Sequence, residues 1–162
     1  MKKIIAIIMA MTMLMGLCAC GKSGASDKKI EGDLVSVINQ MYSAVELDAE
    51  TKESFSYHMI EAVTADTAEY VLGTTELEYA EAAYAMPMMS AVAYQLILVR
   101  VDESADVEAA KTALDEAFDE GKWVCVMPEK VAVTNVGNVI MLVAGTEQVV
   151  DALQVAFEAQ AQ

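Results

Sequence analysis

The sequence predicts an α+β domain: an antiparallel four-stranded sheet with helices on one face, running ββαββα from residue 77 and preceded by N-terminal helices. Three observations predict it. Two apolar runs, Val131–Val136 and Val139–Val143, flank Gly137-Asn138, and two residues of that kind between β-prone runs signal a tight hairpin. Tyr94–Val101 is apolar and rich in strand-forming residues. Two further segments, 104–120 and 146–157, carry apolar residues at helical spacing.

The chain opens with Lys2 and Lys3 and an almost unbroken apolar run of 14 residues, Ile4 to Leu17. That is shorter than the roughly 17 to 25 residues a membrane-spanning helix needs, and a charged start with small residues at a cut site marks a secretory leader. Leu17-Cys18-Ala19-Cys20 fits the bacterial lipoprotein pattern, with cleavage after residue 19 and lipid on Cys20. Cys18 is the poorer acceptor because Leu17, not a small residue, precedes it. Two acyl chains on a thioether-linked glyceride suffice for stable anchoring. The expected organisation is a leader over 1–19, a lipid-anchored flexible tether over 20–29 and one α+β domain over 30–162, on the outer face of the cell membrane. Treated as a coil, the tether spans roughly 15–20 Å.

Cleavage leaves eight basic against 25 acidic residues, a net charge of −17. The imbalance is uneven. The tether holds three lysines and one aspartate, whereas from Ile30 onward five basic residues face 24 acidic ones. A domain so charged is soluble and repelled by nucleic acid and by anionic lipid. Cys125 is left as the one free thiol, in the apolar context Trp123-Val124-Cys125-Val126-Met127, where a buried, inert cysteine is expected.

Asp33 caps a helix whose stripe is Leu34, Ile38, Met41 and Val45, with Val35 and Tyr42 beside it. A second helix is expected over 50–63, with Phe55, Met59 and Val63 four residues apart. Thr64 caps a short helical turn, and Gly73 ends it in the left-handed conformation. Residues 76–86 are rich in alanine and glutamate and favour helix, but Pro87 cannot continue one and presses Met86 towards extended backbone. Ser104 opens the next helix, with Asp106 and Glu108 in its first turn, a stripe of Val107, Ala110, Leu114, Ala117 and Phe118, and Gly121 as its stop. The unbroken apolar run Val139–Val143 marks a central strand, and Thr146 caps a last helix that buries Val149, Leu153, Ala156 and Phe157.

The segment from Tyr79 to Met89 ending in Met-Pro-Met-Met, followed by Tyr94-Gln95-Leu96-Ile97-Leu98, the acidic helix at 104–120, Pro128-Glu129 and Gly137–Val143, resembles the small lipoproteins of Gram-positive anaerobes that carry domain of unknown function 4358. The resemblance covers roughly residues 60–155. It implies an extended chain across 79–88, against propensity, and it brings no activity with it. Gly121-Lys122 interrupts a segment that is longer in that family.

Candidate chemistry is sparse. His58, the single histidine, has Glu61 three residues on, which on a helix offers two metal ligands with nothing to complete the set. Acids at 102, 103, 106, 108, 115, 116, 119 and 120 surround one helix without the loop of a dedicated calcium site. Met86, Met88, Met89 and Met127 are soft enough for copper(I), though methionines also fill gaps where strands meet helices. No catalytic residue, cofactor or metal ligand is assigned. The leading expectation is a lipid-anchored, extracytoplasmic binding or accessory module without catalytic activity, whose partner is another envelope protein or a small ligand held against the sheet. The alternatives are an envelope enzyme working through carboxylates in a cleft, and a surface cation-handling protein. Intact-mass analysis of membrane-extracted protein checks the anchor: the chain is expected to begin at a diacylglyceryl-modified Cys20, and an unmodified Cys20 refutes it.

Overall fold

The computed structural model describes residues 28–89, 92–123 and 125–162; the expected leader, Cys20 and most of the expected tether lie outside the described residues. The chain forms helix α1 (Leu34–Ala44), helix α2 (Ala49–Ser54) with a 3-10 turn over Phe55–Tyr57, strand β1 (His58–Ala62) and helix α3 (Ala68–Leu72). Strands β2 (Glu81–Pro87) and β3 (Gln95–Arg100), helix α4 (Val107–Ala117), strands β4 (Lys130–Val136) and β5 (Val139–Gly145), and helix α5 (Glu147–Glu158) follow. The strands make one sheet in the order β1-β2-β3-β5-β4, each neighbouring pair antiparallel.

Strand alternation sorts the core into two layers. Ala83, Ala85, Leu96, Leu98, Met141 and Val143 meet α1 and α5 on one face. Ala82, Tyr84, Ile97, Val99, Ile140 and Leu142 meet α3 and α4 on the other. Every residue of β5 is buried, as its unbroken apolar run requires. Helices therefore cover both faces, not the single face expected. A sheet whose central strands are apolar on both sides needs two covers.

The second correction concerns strand number: among the described residues the sheet has five strands, not four. The helix expected over 50–63 ends at Ser54, and His58–Ala62 is a strand on the edge of the sheet. The Ser54 hydroxyl donates to the Thr51 carbonyl at 2.6 Å and the Ser56 hydroxyl to the Glu53 carbonyl at 2.6 Å, local bonds that compete with helix continuation. Beyond them β1 pairs with β2 in the register Met59 with Met86 and Glu61 with Tyr84, so sheet pairing overrides helical spacing. The open question over 76–86 resolves to extended chain from Glu81, with Ala82, Ala83, Tyr84 and Ala85 all buried. Alanine there serves close packing between two layers.

The caps follow the sequence with small shifts. Asp33 accepts from Ser36 N at 2.9 Å, and Thr146 accepts from Val149 N. The acidic helix starts at Val107 with Asp106, not Ser104, as its cap, and it stops at Ala117, before Gly121. Arg100, paired with Glu81 across β3 and β2, donates to the Gly32 carbonyl at 2.8 Å, while Glu81 accepts from Leu34 N at 2.7 Å. That group fixes the entry of α1 onto the sheet. Lys29 and Gln162 exchange two backbone hydrogen bonds, 3.1 and 3.0 Å, closing the domain where it begins. A Cβ placed on Gly137, in the hairpin turn, would meet the Lys28 carbonyl at 2.9 Å, so the β4–β5 hairpin lies against the same start.

Two glycines separate backbone strain from crowding. Gly32 and Gly73 both have positive φ, +84° and +76°. A Cβ on Gly32 meets nothing, whereas one on Gly73 would sit 1.9 Å from the Ala117 carbonyl oxygen. Gly32→Ala is expected to cost about 1–2 kcal/mol, and Gly73→Ala at least about 2 kcal/mol more because α3 must move off α4. Urea unfolding midpoints of the two variants check the difference.

Candidate functional site

At the end of the sheet where β2 and β5 finish and β3 begins, the helices do not meet, and a cavity of about 780 Å³ remains. This lies within the ordinary range of small-molecule sites. Three pieces of chain build its walls: α2 with its 3-10 turn, the residues Pro87, Met88, Met89, Val92 and Ala93 between β2 and β3, and the start of α5 at Thr146 and Val149. The surface is mainly apolar, supplied by Phe55, Tyr57, Pro87, Met88, Met89 and Val92.

An aromatic group forms the inner wall. Tyr42 stacks on Phe55 with ring centres 4.2 Å apart, and the His58 ring lies 4.6 Å from Tyr94. Gly145 lets the Tyr94 ring lie against β5, since a Cβ there would approach Tyr94 Cδ2 to 3.2 Å. Hydrogen bonds run through the group: Tyr94 Oη to Tyr42 Oη at 2.7 Å, and Tyr42 Oη to His58 Nδ1 at 2.9 Å. Among the described residues the Tyr94 hydroxyl has no other partner, so its hydrogen is satisfied only by donating to Tyr42. Tyr42 then donates to His58 Nδ1, the imidazole is neutral with its proton on Nε2, and Nε2 stays accessible. Protonating His58 would put a hydrogen on Nδ1, reverse the chain and orphan the buried Tyr94 hydrogen. Burial pushes the His58 pKa down to about 4 and raises those of Tyr42 and Tyr94 above the usual phenol value.

The structure redistributes the residues singled out from sequence. His58 lies on a strand, so Glu61, three residues on, falls on the opposite face and accepts from Tyr84 Oη at 3.2 Å; the helical ligand pair does not form. Met88 and Met89 are not gap fillers. β2 ends at Pro87, and they sit exposed on the cavity, 68% and 79% accessible. Met86 points to the other face among partly buried residues, and Met127 lies exposed elsewhere, so the four sulfurs are not brought to one place. Cys125, expected buried, is exposed, because it falls in the surface connection leading into β4. The acids of 102–120 do local work: Glu103 pairs with Lys29, Asp106 caps α4, Glu108 pairs with Lys111, and Asp119 accepts from Gly121 N. Among the described residues no group of three or more His, Cys, Asp or Glu side chains converges as a metal site.

On the far side of Tyr94 lies a void of only about 20 Å³, room for no more than a water. Lys122 closes it, bonded to the buried Gln95 and held 4.2 Å from the centre of the Phe118 ring. Burial pushes the Lys122 pKa down to about 8. Gln95 in turn donates to the Val71 carbonyl at 3.2 Å, so this polar group ties β3 to α3.

Sequence reasoning missed that Tyr42, Phe55, His58 and Tyr94 meet. Their spacing carries no sign of it, since the β1–β2 register and the packing of α1 create the contact.

The neutral His58 has a pH signature. Its folded pKa lies below the ordinary value near 6.5, so the unfolded chain takes up the proton first and stability falls as pH drops from about 6.5 to about 4. His58→Asn keeps an acceptor but cannot titrate. The stability advantage of wild type over this variant is expected to shrink between pH 7 and pH 4, measured by urea midpoints; an advantage equal at both pH values refutes the neutral buried imidazole.

Comparison of the chain with protein-family models, with curated proteins and with solved structures finds no match in any of the three, and the cavity's own residues are what speak to its role.

Proposed function

We propose that the chain is a lipid-anchored, extracytoplasmic binding module that is fastened to the membrane through Cys20 and holds a small ligand in the cavity at the end of its sheet. The observation that carries this reading is the cavity itself: about 780 Å³, mainly apolar, with one accessible imidazole held by a chain of buried hydroxyls. Apolar walls with few fixed polar groups suit holding a molecule in one orientation. Its two lining carboxylates, Asp48 and Glu50, come from a single helical turn, and Asp48 accepts from both Thr51 N and Thr51 Oγ1. A pair of acids from different elements flanking a substrate would have favoured an enzyme. The leader, the lysine-bearing tether and the likeness to small lipoproteins support the location.

Irradiating intact cells with a neutral aryl diazirine and mapping the labelled peptides tests the reading. Labels are expected to concentrate on residues 54–58, 87–89 and 92–94, and Val92→Trp, which fills the cavity from an exposed position, is expected to reduce them at least fivefold. Labelling spread evenly over the domain, or unchanged in the variant, overturns it.

A further inference from the structure

The charge of the cavity is one-sided. Among its sixteen described lining residues there is no lysine or arginine, while Asp48 and Glu50 are acidic. His58 contributes no charge at neutral pH, since its Nδ1 is occupied as an acceptor. Lys122 lies behind Tyr94, bonded to Gln95 and outside the lining, so among the lining residues the remaining source of positive potential is the start of α5. It is already met: Thr146 accepts from Val149 N, and the Glu129 carboxylate accepts from Glu147 N at 3.1 Å. An anionic ligand would therefore find no counter-charge on the lining and would sit beside two carboxylates. The surrounding domain, with 24 acidic residues against five basic ones from Ile30 onward, adds a field of the same sign.

We propose that the cavity selects a cationic amphiphile: an apolar or aromatic body between Phe55, Met88 and Val92, with an ammonium group seated at Asp48 and Glu50. The proposal rests on the reading of the cavity as a binding site. Both carboxylates line one wall, on the first turn of α2, while the apolar residues line the others. Asp48 remains ionised because the Thr51 backbone and hydroxyl donate to it. Tyr57, exposed and also a lining residue, adds an aromatic ring to the cavity, a group to which cations are attracted. The unbranched thioethers of Met88 and Met89 adapt to bodies of different shape.

Three probes of one shape separate the possibilities: 4-phenylbutylammonium, 4-phenylbutanol and 4-phenylbutyrate, titrated calorimetrically at pH 7.5 into the full chain in phosphatidylcholine nanodiscs, with empty discs as the blank. The cation is expected to bind at least tenfold more tightly than the anion, with the alcohol between them. Glu50→Gln combined with Asp48→Asn, which keeps a capping residue, is expected to bring cation and alcohol within threefold while leaving the alcohol unchanged. If the alcohol binds but the anion equals or exceeds the cation, charge selection is overturned and the binding site stands. Selectivity that survives the double substitution overturns the ammonium seat. If none of the three binds, the reading of the cavity as a site falls, and charge selection with it.

Discussion

The central strands have no polar face, and the rest of the molecule answers to that. β3 and β5 bury Leu96, Ile97, Leu98 and Val99 beside Ile140, Met141, Leu142 and Val143, with successive side chains pointing to opposite layers. Water must be excluded from both sides at once, which takes four helices: α1 and α5 above, α3 and α4 below. The one polar side chain buried in this pair, Gln95, sits at its end and is satisfied from both directions, by the Val71 carbonyl and by Lys122. The double cover also explains β2. Its alanines at 82, 83 and 85 let α1 and α3 approach the same strand from opposite sides.

The cavity is where that cover runs out. α1 packs over β2, β1 and β3 and α5 over β5 and β4, and the corner above Pro87 and Tyr94 is left to the short α2 and its 3-10 turn. The polar chain from Tyr94 through Tyr42 to His58 lets this corner stay hollow without stranding a buried hydroxyl, since an unsatisfied one costs about 1–3 kcal/mol. It also gives the imidazole a defined proton arrangement. One strand register thus produces both a satisfied wall and an imidazole whose Nε2 stays accessible.

Much of the scaffold was legible from the chain alone. Gly137-Asn138 between two apolar runs gave the hairpin, Asp33 and Thr146 their caps, and the unbroken run at 139–143 the central strand. The failures share a cause. His58–Ala62 read as helix because Phe55, Met59 and Val63 are four residues apart, yet that spacing is even, so in a strand Met59 and Val63 still share one face and pack in the same layer. The same doubly apolar centre that marks the central strand also requires helices on both sides of the sheet. The cavity was not legible at all. It depends on residues 42, 55, 58 and 94, which only tertiary packing brings together, and on Met88 and Met89, which become exposed because β2 stops at Pro87.

The paired ends of the domain carry a consequence for how it is displayed. Lys29 bonds to Gln162 beside the hairpin turn at Gly137, and the hollow opens at the opposite end of the strands, roughly 20 Å away for a seven-residue strand. Whatever is joined ahead of residue 28 pulls on one pole of the molecule and leaves the other pole outermost. The strands thus act as a short mast, and with the chain ahead of residue 28 fastened to a surface, as proposed, the open mouth would face away from that surface.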